Sequence, residues 1–363
     1  MDSLEPANKG LLFWLVSFRL RALGRLKEAV QPMEAALKAW GDLIDGAKAT
    51  DPQSQNFRNT WRANAADNAC NLGELFLILG EVQKALTYAE QSVKWADESG
   101  NHALGVTNRT VLGDALHQAG NIEKAMAIFS EAEALQKQRL PGHPYLESFD
   151  GFRYCELVLS RGNFTAVQEM VGQTLSREKK QMPVDVAMNH LSLGRAALLQ
   201  AAKHESTRAL QEALQHLNQA VQGLAGRQDH LPRGLLARAA LHRVMGAFAE
   251  AWRDLAEAQE IAKRGEMKLH LADFHLEVAS LFCSVRQASF QPQTRQVVAK
   301  FFRALPDSEN LGTAGEVPSA SFPEIARTKS RENLDVARQM IAETGYGRRK
   351  PELAELEDQI AGS

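Results

Sequence analysis

The chain has little of what marks a secreted, membrane or nucleic-acid-binding protein. Its three cysteines in 363 residues, Cys70, Cys155 and Cys283, lie far apart and form no Cys-x-x-Cys pair. The apolar run Leu11–Val16 is too short for a membrane span or a signal core. A net charge of −2 creates no positive field for nucleic acid or anionic lipid. We therefore expect a cytoplasmic protein with reduced thiols, no cofactor, and no nucleic-acid or membrane partner.

Patterns typical of catalysis are also missing. The dipeptide Gly-Lys does not occur, which excludes the usual phosphate-binding loop, and there is no Gly-x-Ser-x-Gly elbow. The nearest approach to a metal cluster is His270, Asp273, His275 and Glu277. His270 and Asp273 share a helix face there, but two ligands do not make a site. We expect no enzymatic activity, no catalytic residues and no metal site.

What the chain does contain is a repeated pattern of small and large residues. A glycine is followed by a small residue five positions later, a large apolar residue nine later and a small residue twelve later. The full pattern occurs at Gly120, Ala125, Phe129 and Ala132. Other copies begin at Gly24, Gly80, Gly162 and Gly246, and a further copy contains Ala213, Leu217 and Ala220. A period of about 40–42 residues indicates helix–turn–helix repeats.

The physics of such repeats predicts the fold. A single helical hairpin cannot bury its apolar face, so hairpins stack on their neighbours. Glycine at each turn supplies a left-handed C-cap, and small residues let crossing helices approach closely. We predict an all-α, right-handed α–α superhelix of about six to seven repeats over residues 1–346, closed by a C-terminal capping helix within residues 347–363. The first helix of each repeat should line the concave surface.

Three segments depart from the repeat. Asp45–Asn59 is predicted to be an inserted loop because it contains several residues typical of turns. The turn through Lys203–Glu205 is predicted to be longer than the others. Residues 287–329 contain four prolines, and we expect them to be loosely packed around a short helix, Thr294–Ala304, with helix resuming near Arg331.

The two ends of the chain differ in polarity. A short charged helix is predicted near Glu352–Ile360, and such a helix suits the end of a solenoid. The first repeat instead offers Phe13, Trp14 and Phe18 without a polar seal. We expect upstream sequence or another chain to stack on this end, and the chain to be a fragment of a longer protein.

Several segments resemble a group of bacterial tetratricopeptide repeat proteins. They are Leu20–Met33, Ala115–Gly120, Gly151–Cys155, Asp229–Ala239 and Ile341–Leu356. Such repeats form the C-terminal arm of large bacterial signalling NTPases of the STAND and NACHT type. The resemblance implies a sensor or regulatory arm that binds a protein or peptide. Three other roles stay open: a free-standing adaptor or chaperone, a regulatory subunit of an effector enzyme encoded nearby, and a receptor for a peptide or small molecule.

The repeat positions predict which polar side chains line the concave groove. They are Asp67, Asn71, Glu74, Asp114, His117, Gln118, Arg153, Glu156, His190, Arg195, Arg233, Arg243 and His275. The first half of this set is acidic or neutral and the second half is mostly basic. Arginine forks in such a groove favour an acidic peptide, a C-terminal carboxylate or another anion. Alternatively the side chains are solvated or pair with one another, as Arg153 and Glu156 could one helical turn apart.

Overall fold

The computed structural model describes residues 5–46, 52–177, 182–305 and 319–361, and in these ranges it contains sixteen α-helices and no strand. The helices are α1 Pro6–Ala22, α2 Leu26–Gly46, α3 Pro52–Leu79, α4 Val82–Ser99, α5 His102–Gln118, α6 Ile122–Arg139, α7 Ser148–Ser160, α8 Phe164–Arg177, α9 Pro183–His204, α10 Thr207–Leu224, α11 Leu231–Val244, α12 Phe248–Arg264, α13 Lys268–Ser289, α14 Arg295–Ala304, α15 Phe322–Thr344 and α16 Lys350–Ala361. The prediction of an all-α repeat fold is confirmed.

Consecutive helices pair into seven hairpins that form a solenoid. Helices α1 to α12 pair in chain order, and the seventh hairpin joins α13 to α15 across the intervening α14. Helix α16 then contacts α15 and α13 at the end of the stack. The predicted number of repeats therefore agrees with the structure, and α16 lies where a capping helix was expected.

Left-handed residues end the first helices of the hairpins, as the glycine pattern predicts. Gly24, Gly80, Gly120, Gly162 and Gly246 all have φ between 72° and 83°. The fifth hairpin has no such glycine, and Glu205 adopts φ 50° between α9 and α10. The turn there is as short as the others, so the predicted lengthening was wrong. Lys203 and His204 lie in the last turn of α9, and α10 begins at Thr207.

A glycine on the first helix lets the second helix of the hairpin approach closely. Gly113 on α5 faces the fully buried ring of Phe129 on α6, and a Cβ on Gly113 would lie 2.7 Å from that ring. In the preceding hairpin, Gly73 faces Ala89, and a Cβ there would meet its nearest atoms at ordinary distances of 3.4–3.5 Å. Small and large residues at these positions are therefore matched within each hairpin.

Two predicted boundaries were wrong. Residues 52–59 are not a loop but the first two turns of α3, because proline is tolerated in the first turn of a helix. Helix α15 begins at Phe322 rather than near Arg331, again with a proline in its first turn. The short helix within the insertion is confirmed as α14. Residues 47–51 and 306–318 of the two predicted loops lie outside the described residues.

The solenoid curves until distant repeats touch, which simple stacking does not predict. Lys27 at the start of α2 forms an ion pair of 3.0 Å with Glu266 in the turn before α13. Arg21 on α1 reaches within 4.0 Å of Asp229, just before α11. The turn at Gly80 lies against Lys268, to which a Cβ would come within 2.6 Å. These contacts join the first two hairpins to the later hairpins of the solenoid.

Gly113→Ala should destabilise the fold by about 1–3 kcal/mol, because the added methyl group overlaps a buried ring that cannot move freely. The matched control is Gly73→Ala, which has the same place in its hairpin but faces a small residue. That substitution should be neutral or raise stability by up to about 1 kcal/mol, owing to the helix propensity of alanine. Urea unfolding measures both. Equal effects of the two substitutions would contradict the packing argument.

Candidate binding cavity on the concave face

A cavity of about 640 Å³ occupies the concave side of the solenoid. Its walls come from the first helices of consecutive hairpins, α3, α5, α7, α9, α11 and α13, and from the segment that leads into α16. The charged and aromatic lining residues are Asp114, Glu156, Arg195, Arg233, Arg243, His270, Asp273, Glu277, Tyr346, Arg348, Arg349, Glu352 and Glu355. Leucines from α3, α7, α9, α11 and α13 supply apolar wall between them.

The segment Tyr346–Arg349 enters the concave side after α15. Its entry depends on Gly347, where a Cβ would lie 2.2 Å from the backbone oxygen of Ala119 at the end of α5. The Tyr346 hydroxyl donates to Asp273 on α13 at 3.1 Å. The Arg349 Nε donates to the same carboxylate at 2.7 Å. The C-terminal part of the chain therefore forms one wall of the cavity as well as the end of the stack.

Glu156 on α7 is a buried carboxylate that two arginines hold in this wall. It accepts hydrogen bonds from Arg195 on α9 and, at 3.0 Å, from Arg348. The side chains of Glu156 and Arg348 are 6% and 8% exposed. Burial alone would raise the pKa of Glu156, but the two guanidinium groups outweigh it and lower the pKa to about 2. Glu156 therefore stays ionised and ties α7, α9 and the C-terminal segment together.

A second buried cluster lies toward the first hairpin. Glu74 on α3 accepts from Arg21 on α1 at 2.8 Å and from Arg153 on α7. Although burial opposes it, these arginines lower the pKa of Glu74 to about 2. Asp150 accepts from Arg153 at 3.0 Å and from Thr110 at 2.6 Å. This cluster joins four first helices of the solenoid, α1, α3, α5 and α7.

The thirteen residues predicted for the groove fall into three places. Six line the cavity: Asp114, Gln118, Glu156, Arg195, Arg233 and Arg243. Four belong to the second buried cluster or lie beside it: Asp67, Asn71, Glu74 and Arg153. Three are elsewhere: His117 is fully buried 3.1 Å from Ser160, His190 lies 2.9 Å from His216 on α10, and His275 lies 2.7 Å from Asn333 on α15.

Internal pairing accounts for most of the predicted charges. Arg153 and Glu156 do not pair with each other, and each has partners on other helices. Arg243 donates to Glu277 at 2.6 Å, and Gln118 donates to Asp114 at 2.6 Å. The lining contains five arginines and six carboxylates side by side. The cavity surface is therefore mixed in charge, whereas the sequence suggested an acidic half and a basic half.

Several functional residues escaped the sequence-based prediction. Arg21, Asp150, Tyr346, Arg348 and Arg349 supply essential parts of the two networks. The first two lie on first helices, so extending the repeat register to them would have found them. The last three follow the final repeat, where no repeat position exists to indicate direction. Their only signal is the pair of glycines around Tyr346, which allows a close backbone approach.

The three cysteines are buried in the core of the solenoid. Cys70, Cys155 and Cys283 are buried and form no disulfide. Burial raises the pKa of each thiol. Among the residues that the structure describes, no three His, Cys, Asp or Glu side chains come together in a way that could hold a metal ion. Of the residues weighed as a metal cluster, His275 points to α15 and away from the cavity-lining His270, Asp273 and Glu277.

Residues 62–138 match the tetratricopeptide repeat family. The match covers most of the second hairpin and nearly all of the third, α3 to α6. A search of curated proteins returned no match. Within the described ranges, no helix is long and apolar enough to cross a membrane. The repeat match and the helical solenoid support a tetratricopeptide-type scaffold that binds a protein partner.

Glu156→Gln should destabilise the protein at neutral pH by about 3–5 kcal/mol, because Arg195 and Arg348 lose their shared counter-charge. Since the pKa of Glu156 is lowered on folding, its contribution is complete above about pH 4.5 and disappears as pH falls toward 2. The wild-type protein should therefore lose more stability than the variant between these pH values. Urea unfolding at several pH values measures the difference.

Glu212→Gln is the control, since Glu212 forms an exposed pair with Arg208 one turn away on α10. It should change stability by less than about 0.5 kcal/mol. Glu74 keeps its own low pKa, so some acid sensitivity should remain in Glu156→Gln. A variant as stable as the wild type at pH 7 would contradict the role given to Glu156.

Proposed function

We propose that the protein binds a short segment of a partner protein, or a free peptide, in the cavity on its concave face. One observation carries the proposal: the first helices of six consecutive hairpins converge on one cavity of about 640 Å³. Binding pockets commonly have volumes of about 300–1,000 Å³ and combine apolar walls with a few polar groups. This cavity has both, so a few residues of an extended peptide fit it, and a folded domain does not.

The charges of the lining support an anionic feature in the partner. Five arginines reach the cavity, and guanidinium forks bind carboxylates with two parallel hydrogen bonds. The six carboxylates of the lining would repel a strongly acidic ligand. We therefore expect a segment of mixed or modest charge that carries an acidic group. A receptor for a small molecule is the second candidate, because the cavity volume also suits one.

We further propose that the solenoid is the sensor or regulatory arm of a bacterial signalling NTPase in the cytoplasm. The support is the resemblance of Leu20–Met33 and Ile341–Leu356 to the repeat arms of such proteins. A free-standing adaptor and a regulatory subunit of an effector enzyme encoded nearby are the alternatives. Reading the native gene upstream of Met1 separates them: a P-loop NTPase in frame supports the arm, and a stop codon beside an effector gene supports the subunit.

Ala240→Trp should abolish binding of peptides that occupy the cavity. Ala240 lines the cavity and makes no ion pair, so the indole fills the space without breaking the charge networks. The control is Ala134→Trp on the exposed face of α6. Peptides selected from a displayed random library on the wild-type protein should bind Ala134→Trp normally and lose most of their affinity for Ala240→Trp. Selected peptides that bind both variants equally would place the binding site elsewhere.

The first helix also presents an exposed apolar stripe. Leu11, Leu15 and Phe18 lie along one face of α1 and are 51%, 45% and 54% exposed. The prediction that upstream sequence or another chain stacks on this end stays a prediction, and the stripe is the observation that supports it. Light scattering should show concentration-dependent self-association that Leu15→Glu reduces. A monodisperse monomer at high concentration would contradict an uncovered contact surface.

A further inference from the structure

Arg233 differs from the other arginines of the cavity. Those four donate to carboxylates: Arg195 and Arg348 to Glu156, Arg243 to Glu277, and Arg349 to Asp273. The side chain of Arg233 has no hydrogen bond or ion pair with any residue that the structure describes, and its buried Nε has no acceptor. Its guanidinium carbon lies 5.6 Å from the centroid of the Phe152 ring. A half-buried guanidinium resting on an aromatic face keeps its donors available to a ligand.

His270 on α13 lines the same cavity and is also unsatisfied. Its side chain is 6% exposed, and neither ring nitrogen has a hydrogen-bond partner among the described residues. Buried polar groups without partners cost free energy and are uncommon in native structures. Arg233 is close enough to His270 to act on its charge. Two neighbouring side chains on adjacent first helices therefore both lack the acceptor that a ligand could bring.

The charge of the lining limits the ligand to a single negative charge. Five arginines face six carboxylates, so the cavity as a whole does not attract a dianion such as phosphate. Arg233 alone among them forms no ion pair with a described residue. One carboxylate satisfies its fork and leaves a hydrogen bond for the imidazole. A monoanion is therefore matched where a second charge would be repelled.

We propose that Arg233 and His270 together receive one carboxylate group of the bound peptide, either its C-terminus or an acidic side chain. This inference rests on the proposed function, since it assigns a chemical anchor within the same cavity. Arg233 contributes two parallel hydrogen bonds and the positive charge. His270 contributes a third hydrogen bond from a buried N–H. The neighbouring arginines position the walls and keep their own carboxylate partners.

Binding should strengthen as pH falls toward 5. Burial, together with the charges of Arg233 and Arg349, lowers the pKa of His270 to about 4, against the opposing effects of Asp273 and Asp229. The free imidazole is therefore neutral at pH 7. A carboxylate beside it favours the imidazolium form and raises this pKa, so the complex takes up a proton more readily than the free protein. Carboxylic acids stay ionised above about pH 5, which keeps the ligand charged in this range.

Histidine side-chain NMR of the full chain tests the proposal. N-acetylglycine serves as the probe for a C-terminal carboxylate, and N-acetylglutamic acid α-amide for a side-chain carboxylate. At least one of them should shift the His270 signals saturably and raise the pKa of His270. The neutral N-acetylglycine amide should leave both unchanged, and phosphate should bind more weakly. The signals of His270 are assigned by their loss in His270→Gln.

Arg233→Gln should weaken binding of the probe about ten- to hundred-fold, the usual effect of losing a charge-assisted hydrogen bond. Arg233→Lys keeps the positive charge but loses the guanidinium fork. Its affinity for the probe should lie between those of the wild type and Arg233→Gln. Arg208→Gln, at an 88% exposed position on α10, is the matched control and should bind normally. Circular dichroism confirms that each variant is folded.

No saturable shift of His270 with either carboxylate would overturn the proposal, as would equal binding by Arg233→Gln and Arg208→Gln. The proposed function has a separate outcome. Library peptides that lose affinity for Ala240→Trp but keep it for Arg233→Gln would support cavity binding and reject this anchor. Probe binding at His270 without any cavity-dependent peptide would instead reject peptide binding and favour a small carboxylate ligand.

Discussion

The buried carboxylate of Glu156 sets how the concave face is built. An ionised carboxylate in the interior is tolerated only when cations and hydrogen bonds replace the water it has lost. Arg195 on the neighbouring repeat provides one cation, and Arg348 from the end of the chain provides the other. Because Arg348 must reach α7, the segment after α15 is drawn into the concave side. In this position Gly347 lies against the end of α5, and Tyr346 contacts Asp273.

This arrangement changes the mechanical character of the solenoid. In a simple repeat array each unit contacts only its neighbours, so curvature can vary with little cost. Here Glu74 joins α1 to α3 and α7, and Lys27 contacts Glu266 far along the chain. Buried pairs of this kind stabilise less than their number suggests, because desolvation offsets much of the attraction. The effect of the buried pairs is to select one curvature, since breaking either bond of Glu74 leaves an unpaired charge inside the protein, whereas the Lys27–Glu266 pair is exposed.

The sequence predicted the repeat fold well because that information is local. The spacing from Gly120 to Phe129 reports a turn and a helix crossing within one hairpin, and both were found. Short-range physics also explains the errors, since Pro52 and Pro323 start helices at positions that composition alone assigns to loops. The cavity was only partly predictable. The repeat register placed Glu156 and Arg233 on the helix faces that line the cavity. It does not indicate which distant helix supplies the ion-pair partner of a charged side chain.

The histidines also show that the repeat register cannot predict which side chains find a partner. His190 and His275 were assigned to the groove by register, but they contact His216 on α10 and Asn333 on α15 instead. His270 was set aside as an incomplete metal ligand, yet it lies in the cavity with both nitrogens unsatisfied. These histidines differ in whether their ring nitrogens have hydrogen-bond partners. That property depends on the assembled structure, and no single segment of the sequence encodes it.

A cavity whose walls are fixed by internal ion pairs is already organised before a ligand arrives. The four paired arginines need no rearrangement on binding, so little conformational entropy is lost there. Selectivity for an anionic group then depends on the donors that remain unsatisfied, and among the described lining residues the buried side-chain nitrogens without a partner belong to Arg233 and His270. The charged residues that look most like a binding site in the sequence thus serve mainly as structure. The pair that lacks partners is where the chemistry of recognition is expected to reside.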